Sequence, residues 1–323
     1  MPTFLPLRTF GRTPLRVTPL CVGCAQLGGM PEVFGYDVAE SQALATLRAC
    51  FSSPINFLDT AAMYGDGESE RRIGMVLREL EGVPAGYVLA SKADRDMKTG
   101  DFSGDQIKRS VERSLKLLGL DKIRIMYLHD PEHARFEDLM APGGPTDVLL
   151  KFKEQGVIGH VGMAGGPVDL MIRYIETGAF EAVITHNRYT LLNRSAGPLL
   201  DIGAKMGIAV LNAAPYGSGI LAKGPDAYPR YAYQLADAIT LDRVRKMDEI
   251  CKHHKVPLAA AALQFSLRDP RITSTIIGLS RAERLQQTID LAHAPIPAEL
   301  WPRLDAVGFA MDDPEVGRWQ AQG

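Results

Sequence analysis

Between Leu20 and Leu291, short apolar runs alternate with longer amphipathic stretches through eight rounds, and this repetition constrains the fold more than any other feature of the chain. The predicted strands are Leu20–Gly23, Ile55–Asp59, Tyr87–Ser91, Ile123–Leu128, Ile158–Met163, Ala182–Thr185, Ile208–Asn212 and Ser274–Ile277. Helical patterns fall near 38–51, 68–80, 104–118, 146–155, 168–177, 195–206, 241–253 and 281–291. Gly119, Gly156 and Gly207 follow three of them, where a left-handed residue ends a helix. Eight such units with no Ser/Gly/Pro linker predict one (β/α)8 TIM barrel domain over 1–323, in preference to a doubly wound open sheet. A hairpin around Gly11, in LRTFGRTPLRVTPL, is expected to cover one barrel end, and an extra helix near 297–307 follows the last unit. The longest irregular insert, 217–240, comes after the seventh strand, and a loop of that length in a compact domain usually serves function.

Charge excludes some partners. Lysine plus arginine number 36 against 38 acidic residues, without a long run of either sign, so neither nucleic acid nor an anionic membrane is an expected partner. No apolar run approaches the roughly 20 residues that span a bilayer. Met1–Gly11 lacks the pattern of a secretory signal, and four cysteines are too few for a disulfide framework, so a cytoplasmic location is expected. Cys21 and Cys24 have no second pair at zinc-site spacing, so no metal is expected. The expectation is a monomer or small homo-oligomer acting on a small molecule.

In a barrel of this kind, polar residues at the carboxyl ends of strands point into the mouth, where active sites form. Asp59 closes the second strand, Tyr64 lies in the loop after it, Lys92 follows the third and His129 the fourth. Singly, each suits a structural role: a turn-forming aspartate, a snorkelling lysine, a packed tyrosine, a satisfied histidine. All four on three consecutive units at one barrel end point to a joint site. A phenol has a pKa of about 10, and each unit of lowering requires about 1.4 kcal/mol of anion stabilisation. Lys92 is expected to supply that charge, Asp59 to keep the lysine protonated, and His129 to orient the substrate oxygen. Together they make a proton donor and acceptor for a carbonyl or alcohol.

The stretches FLDTAAMYG, SKA and YLHDPE, with NAAPYGSGIL and IIGLSRAERLQQTID further on, resemble the aldo-keto reductase family over nearly the whole chain. The resemblance implies that Asp59, Tyr64, Lys92 and His129 are the catalytic residues. It also implies NAD or NADP lying extended across the mouth, although no G-x-G-x-x-G fingerprint is present. Expected cofactor contacts are Gly23 and Cys24 after the first strand, Pro215, Gly217, Ser218, Gly219 and Leu221 after the seventh, and Leu279 and Ser280 before the eighth helix. Phosphates would lie against the backbone of the 217–221 loop and the helix N-terminus.

Departures from the family pattern narrow the expectations. Ala164 and Gly165 stand where many members carry the Ser-Asn pair that grips the nicotinamide amide, so backbone groups or His186 and Asn187 would substitute. Ala213 stands where many have a stacking aromatic. Gly278 replaces the lysine of members selective for the 2'-phosphate while Arg284 matches their arginine, which favours NAD over NADP. Gln287 and Thr288 match adenine contacts. RYTLL and NAAPYGSGIL are similar to the branch containing aldose 1-dehydrogenases and pyridoxal 4-dehydrogenase, implying oxidation of a hemiacetal to a lactone. The other readings are pyridoxal oxidation, general aldehyde or ketone reduction, and a cofactor-sensing regulatory subunit. Expected substrate contacts are Met30, Phe34, His133 and Tyr231, the last within a cluster with Tyr228 and Tyr233 that could equally serve only to pack its loop.

Overall fold

The protein is described from a computed structural model covering residues 5–316. Residues 1–4 and 317–323, which the expected domain of 1–323 includes, lie outside the described part. Eight parallel strands close on themselves: β1 (Leu20–Gly23), β2 (Phe57–Asp59), β3 (Val88–Ala93), β4 (Ile123–His129), β5 (Ile158–Ala164), β6 (Ala182–His186), β7 (Ala209–Ala213) and β8 (Ser274–Gly278). β8 pairs with β1 in register Gly278 to Gly23, which closes the barrel and excludes an open sheet. β3 and β4 run farther than predicted, so Lys92 and His129 lie inside strand ends, held by the ladders to their neighbours.

Each strand is apolar because both of its faces are covered. Inside the barrel, Phe57, Tyr127, Ile125 and Leu211 fill the lumen. A Cβ on Gly162 would lie 2.4 Å from the Tyr127 ring, so only glycine leaves room for it there. The N-terminal hairpin, Arg8–Thr9 paired with Arg16–Val17, closes the barrel's amino end. Its Phe10, fully buried, stacks edge-on against Phe57 with centroids 5.9 Å apart.

The outer layer is α1 (Glu40–Phe51), α2 (Glu68–Glu79), α3 (Gly104–Leu118), α4 (Pro145–Glu154), α5 (Val168–Glu176), α6 (Gly197–Met206), α7 (Ala238–His253), α8 (Leu258–Leu267), α9 (Glu283–His293) and α10 (Leu300–Ala306). In α3 the apolar stripe Ile107, Val111 and Leu118 is buried, worth about 1.5–3 kcal/mol per side chain. Ser103 caps that helix by accepting from the Gln106 N–H, and Gly119 ends it at φ +69°. Gly156 and Gly207 are likewise left-handed, at +73° and +68°.

Two segments depart from expectation. The helix packed between β7 and β8 is α8, with α7 outside it against α10. Segment 258–267 (LAAAALQFSL) is buried on nearly all sides, so it carries no amphipathic period to reveal it. The 217–240 insert is not irregular throughout: it contains a helical turn at Gly217–Gly219, a short helix at Ile220–Lys223 and a hairpin pairing Arg230–Tyr231 with Gln234–Leu235. Among the described residues no helix is long and apolar enough to cross a membrane.

Candidate active site

The mouth of the barrel brings Asp59, Tyr64, Lys92 and His129 together. Asp59 stands opposite Ala90 in the β2–β3 pairing, with Lys92 two residues further along β3, and both Asp59 and Lys92 are almost completely buried. The Lys92 ammonium donates to Asp59 Oδ2 at 2.6 Å, to the Thr60 carbonyl at 2.8 Å and to the Tyr64 hydroxyl at 3.2 Å. Burial opposes the ammonium charge, but Asp59 and the phenol oxygen overcome it and keep the lysine protonated. The Tyr64 and His129 rings meet edge to face, centroids 6.0 Å apart.

The loop carrying Tyr64 is positioned by backbone contacts. Thr60 N–H donates to Ala90 O and Ala62 N–H to Lys92 O, which pins the loop onto β3. On its other side it lies against the turn Ala25–Gly28. A Cβ on Gly65 would stand 2.0 Å from the Gly28 carbonyl, and one on Gly28 would stand 2.8 Å from the Tyr64 carbonyl. Two glycines therefore let the chains touch where the phenol must be placed. Gly65 also sits at φ +62°.

One expectation is corrected. Burial pushes the Tyr64 phenol above its ordinary pKa; Lys92 recovers only part of this, and Asp59 works against it. The lysine by itself does not bring the phenol down. For His129, burial disfavours the cation, but Asp130 and Asp94 raise its pKa above the ordinary imidazole value. Asp94 Oδ1 lies 2.6 Å from His129 Nδ1, and Asp130 Oδ1 lies 3.6 Å from Nε2. Neither aspartate was singled out from the sequence. Each stands within two residues of a catalytic candidate, and adjacency was the only available signal.

The expected cofactor residues line the same rim. Gly23 and Gly278 lie side by side across the β1–β8 seam, and Cys24 N–H donates to Asp59 O. A Cβ on Gly278 would fall 2.2 Å from Gln26 Nε2, so the Gln26 amide occupies the space a side chain there would take. In the 217–221 loop, Gly217, Ser218 and Gly219 all have positive φ, turning successive backbone amides in an unusual direction; Pro215 precedes this turn and buried Leu221 follows it. Ala164 pairs with His129 in register. The space beside Gly165 is filled by Glu132, whose carboxyl oxygen a Cβ would meet at 2.8 Å. Burial and Asp130 raise Glu132 to about 7. Leu279 is buried and donates its N–H to Gly23 O, and Ser280 O accepts from the Gln42 amide. Arg284 and Gln287 are exposed on α9, whereas Thr288 is buried.

His186 and Asn187 have neighbours the sequence did not reveal. Glu315, fully buried near the C-terminus, sits 3.1 Å from His186 Nε2 and accepts from Asn187 Nδ2 at 2.9 Å. Asn187 is thus engaged in holding the C-terminal segment, with Ser218 Oγ donating to its Oδ1 at 3.3 Å. Of the expected substrate residues, Met30 precedes the short helix Pro31–Phe34 and Phe34 is its last residue, and His133 is exposed on the turn after β4. Tyr231 packs its ring 3.0 Å from where a Gly217 Cβ would be and donates to Asn187 O at 3.5 Å, a loop-packing arrangement. Tyr233 rather than Tyr231 reaches the electrostatic surroundings of Tyr64.

A nicotinamide dinucleotide, which the sequence resemblance implies, fits these residues. Gln26 Oε1 and both Glu132 carboxyl oxygens are buried without a hydrogen-bond partner on this rim, and a buried polar atom without a partner is costly unless a ligand supplies one.

Side chains so arranged can deliver or accept a proton at the phenol oxygen, which defines an acid–base site at the mouth of a closed (β/α)8 barrel. The model of the Aldo/keto reductase family matches residues 19–308, and the chain belongs to that family. Relatives include a D-threo-aldose 1-dehydrogenase from a Pseudomonas species, 31% identical over 90% of this chain and 94% of its own. A pyridoxal 4-dehydrogenase from Microbacterium luteolum is 29% identical over 94% and 97%, and an L-galactose dehydrogenase from Arabidopsis thaliana is 29% identical over 89% and 88%. The fold is also that of the aldo-keto reductase AKR11C1 from Bacillus halodurans in its holo form, with TM-score 0.76, 22% identity and coverage of 95% of this chain and 97% of that one.

Proposed function

We propose that the protein is an NAD(P)-dependent dehydrogenase that oxidises an aldose at C1, taking the cyclic hemiacetal to the lactone. The observation carrying this reading is the Lys92 ammonium lodged between Asp59 and the Tyr64 hydroxyl. Tyr64, as phenolate, takes the hydroxyl proton as the carbonyl forms. Lys92 stabilises the phenolate, and Asp59 keeps Lys92 charged. His129 faces the same substrate oxygen across the mouth and fixes its distance from the phenol. When bound, the oxidised nicotinamide would supply the acceptor for the hydride leaving C1.

Glu132 and His186 would hold the carboxamide, and the 217–221 loop and Arg284 the phosphates. NAD is favoured because Gln26 fills the space over Gly278 with a neutral amide where a cation would attract a 2'-phosphate. The two dehydrogenases of sugars among the relatives favour an aldose, and the pyridoxal enzyme makes pyridoxal the second substrate to test.

The test follows reduced-cofactor absorbance with purified protein, NAD or NADP, and L-fucose, D-arabinose, L-galactose and pyridoxal. Turnover of one sugar with NAD is the expected result. Turnover of pyridoxal alone moves the assignment to that substrate. Reduction of simple aldehydes with no oxidation of any of the four replaces it with a general reductase. Cofactor binding with negligible turnover in either direction points to a regulatory subunit.

A further inference from the structure

One carboxylate links the two halves of the proton-transfer site. Asp94, just beyond β3 and almost fully buried, points Oδ1 at His129 Nδ1 at 2.6 Å and accepts the Met63 N–H on Oδ2 at 2.9 Å. Met63 precedes Tyr64. Asp94 is itself held by α3: its N–H donates to Ser110 Oγ at 3.0 Å, and its carbonyl accepts from Gln106 Nε2 at 3.2 Å. We propose that Asp94 is a positioning residue that sets the proton on His129 Nδ1 and ties that ring to the Tyr64 loop, so that imidazole and phenol meet a single substrate oxygen at fixed spacing. This deepens the dehydrogenase reading and rests on it.

An ionised carboxylate accepts at both oxygens and donates at neither. The Met63 N–H is a fixed donor and occupies one oxygen; the other must then receive a proton from the ring, which selects the Nδ1–H form and leaves Nε2 facing the mouth beside Asp130. Asparagine has one accepting oxygen. With that oxygen on Met63, its NH2 would face Nδ1, and the ring would adapt by carrying its proton on Nε2.

Several charged groups act on the same ring. Lys92 and Asp94 face it from the end of β3, Asp59 and Tyr64 from β2 and its loop, and Asp130 and Glu132 from its own turn, with His186 of β6 acting on Asp130. Asp94 makes the shorter of the two carboxylate contacts to the ring, 2.6 Å to Nδ1 against 3.6 Å from Asp130 to Nε2.

The test uses protein labelled with 15N in its histidine rings, bound to NAD, with the His129 signal assigned by its loss in His129→Gln. Wild type should show Nδ1 protonated through neutral pH. Asp94→Asn should move the proton to Nε2, shift the His129 titration to lower pH and leave NAD affinity by fluorescence titration unchanged. With an oxidised substrate in hand, kcat should fall by about tenfold or more, the scale on which carboxylates behind functional imidazoles act, with KM changing less. A wild-type ring protonated on Nε2 alone overturns the proposal, and that measurement needs no variant. So does an Asp94→Asn protein that melts earlier yet keeps the wild-type His129 spectrum, because Asp94 would then be merely structural. The spectra decide the role of Asp94 even if no aldose is oxidised, a result that would count against the dehydrogenase reading instead.

Discussion

The Lys92 ammonium lies 3.2 Å from the Tyr64 hydroxyl, and the phenol has no comparably placed cation of its own loop to lean on. Tyr64→Phe keeps the ring and deletes the proton carrier. Turnover should fall by about a hundredfold or more, the range for losing a general acid–base group. The NAD dissociation constant should stay within a factor of about two. Steady-state rates and a fluorescence titration measure both; a Phe variant that retains its rate ends the assignment.

Asp59→Asn should damage stability as well as rate. Asp59 and Lys92 form a buried ion pair, each side chain 3% exposed. Replacing the carboxylate leaves an ammonium in the interior with only neutral partners, the new amide oxygen, the Thr60 carbonyl and the phenol. Breaking such a pair costs about 3–5 kcal/mol, to be read as a lower urea midpoint with unchanged slope.

The pH dependence of oxidation follows from the raised phenol. Burial holds the Tyr64 pKa above its ordinary value, so the phenolate is scarce at neutrality and increases about tenfold per pH unit below the pKa. Oxidation should therefore accelerate steadily into the alkaline range, while the reverse reduction, which needs the phenol as donor, should not. Profiles of kcat/KM in both directions check this, and an oxidation profile flat from neutrality upward contradicts it.

Gly74→Ala tests the helical layer away from the chemistry. Alanine favours a helix over glycine by about 1 kcal/mol. Yet a Cβ at Gly74 would stand 2.1 Å from the Leu117 carbonyl, so α2 and α3 would have to part, and overpacking against backbone costs about 1–3 kcal/mol. Net destabilisation is expected in thermal unfolding, with kcat nearly unchanged.

Glu315→Gln tests how the C-terminal segment is held. Burial opposes ionisation there, but His186, Asn187 and Arg188 lower the carboxylate to about 2 from its ordinary value of 4.5. A depressed acid contributes stability that is fully present above its unfolded pKa and lost as pH falls through the folded one. The variant should melt several degrees below wild type at neutral pH, and the gap should narrow between about pH 4.5 and 2. A gap independent of pH would show that the charge on Glu315 is not what holds the segment.

Much of this was determined by the sequence alone. Eight apolar runs buried on both faces specify a closed parallel barrel, and strand-end positions specify which polar residues face its mouth, so Asp59, Tyr64, Lys92 and His129 could be named in advance. The helix at 258–267 could not, because burial on nearly every side erases the amphipathic period that pattern reading depends on. Long-range pairing was equally hidden. That Asp94 contacts His129, Glu132 fills the space at Gly165, Gln26 covers Gly278 and Glu315 returns from near the C-terminus to His186 depends on how the β/α units are brought around the barrel. Periodicity and strand position are local and survive in the one-dimensional string. Contacts among residues far apart in the chain, and the burial that decides their charges, exist only once the eighth strand has met the first.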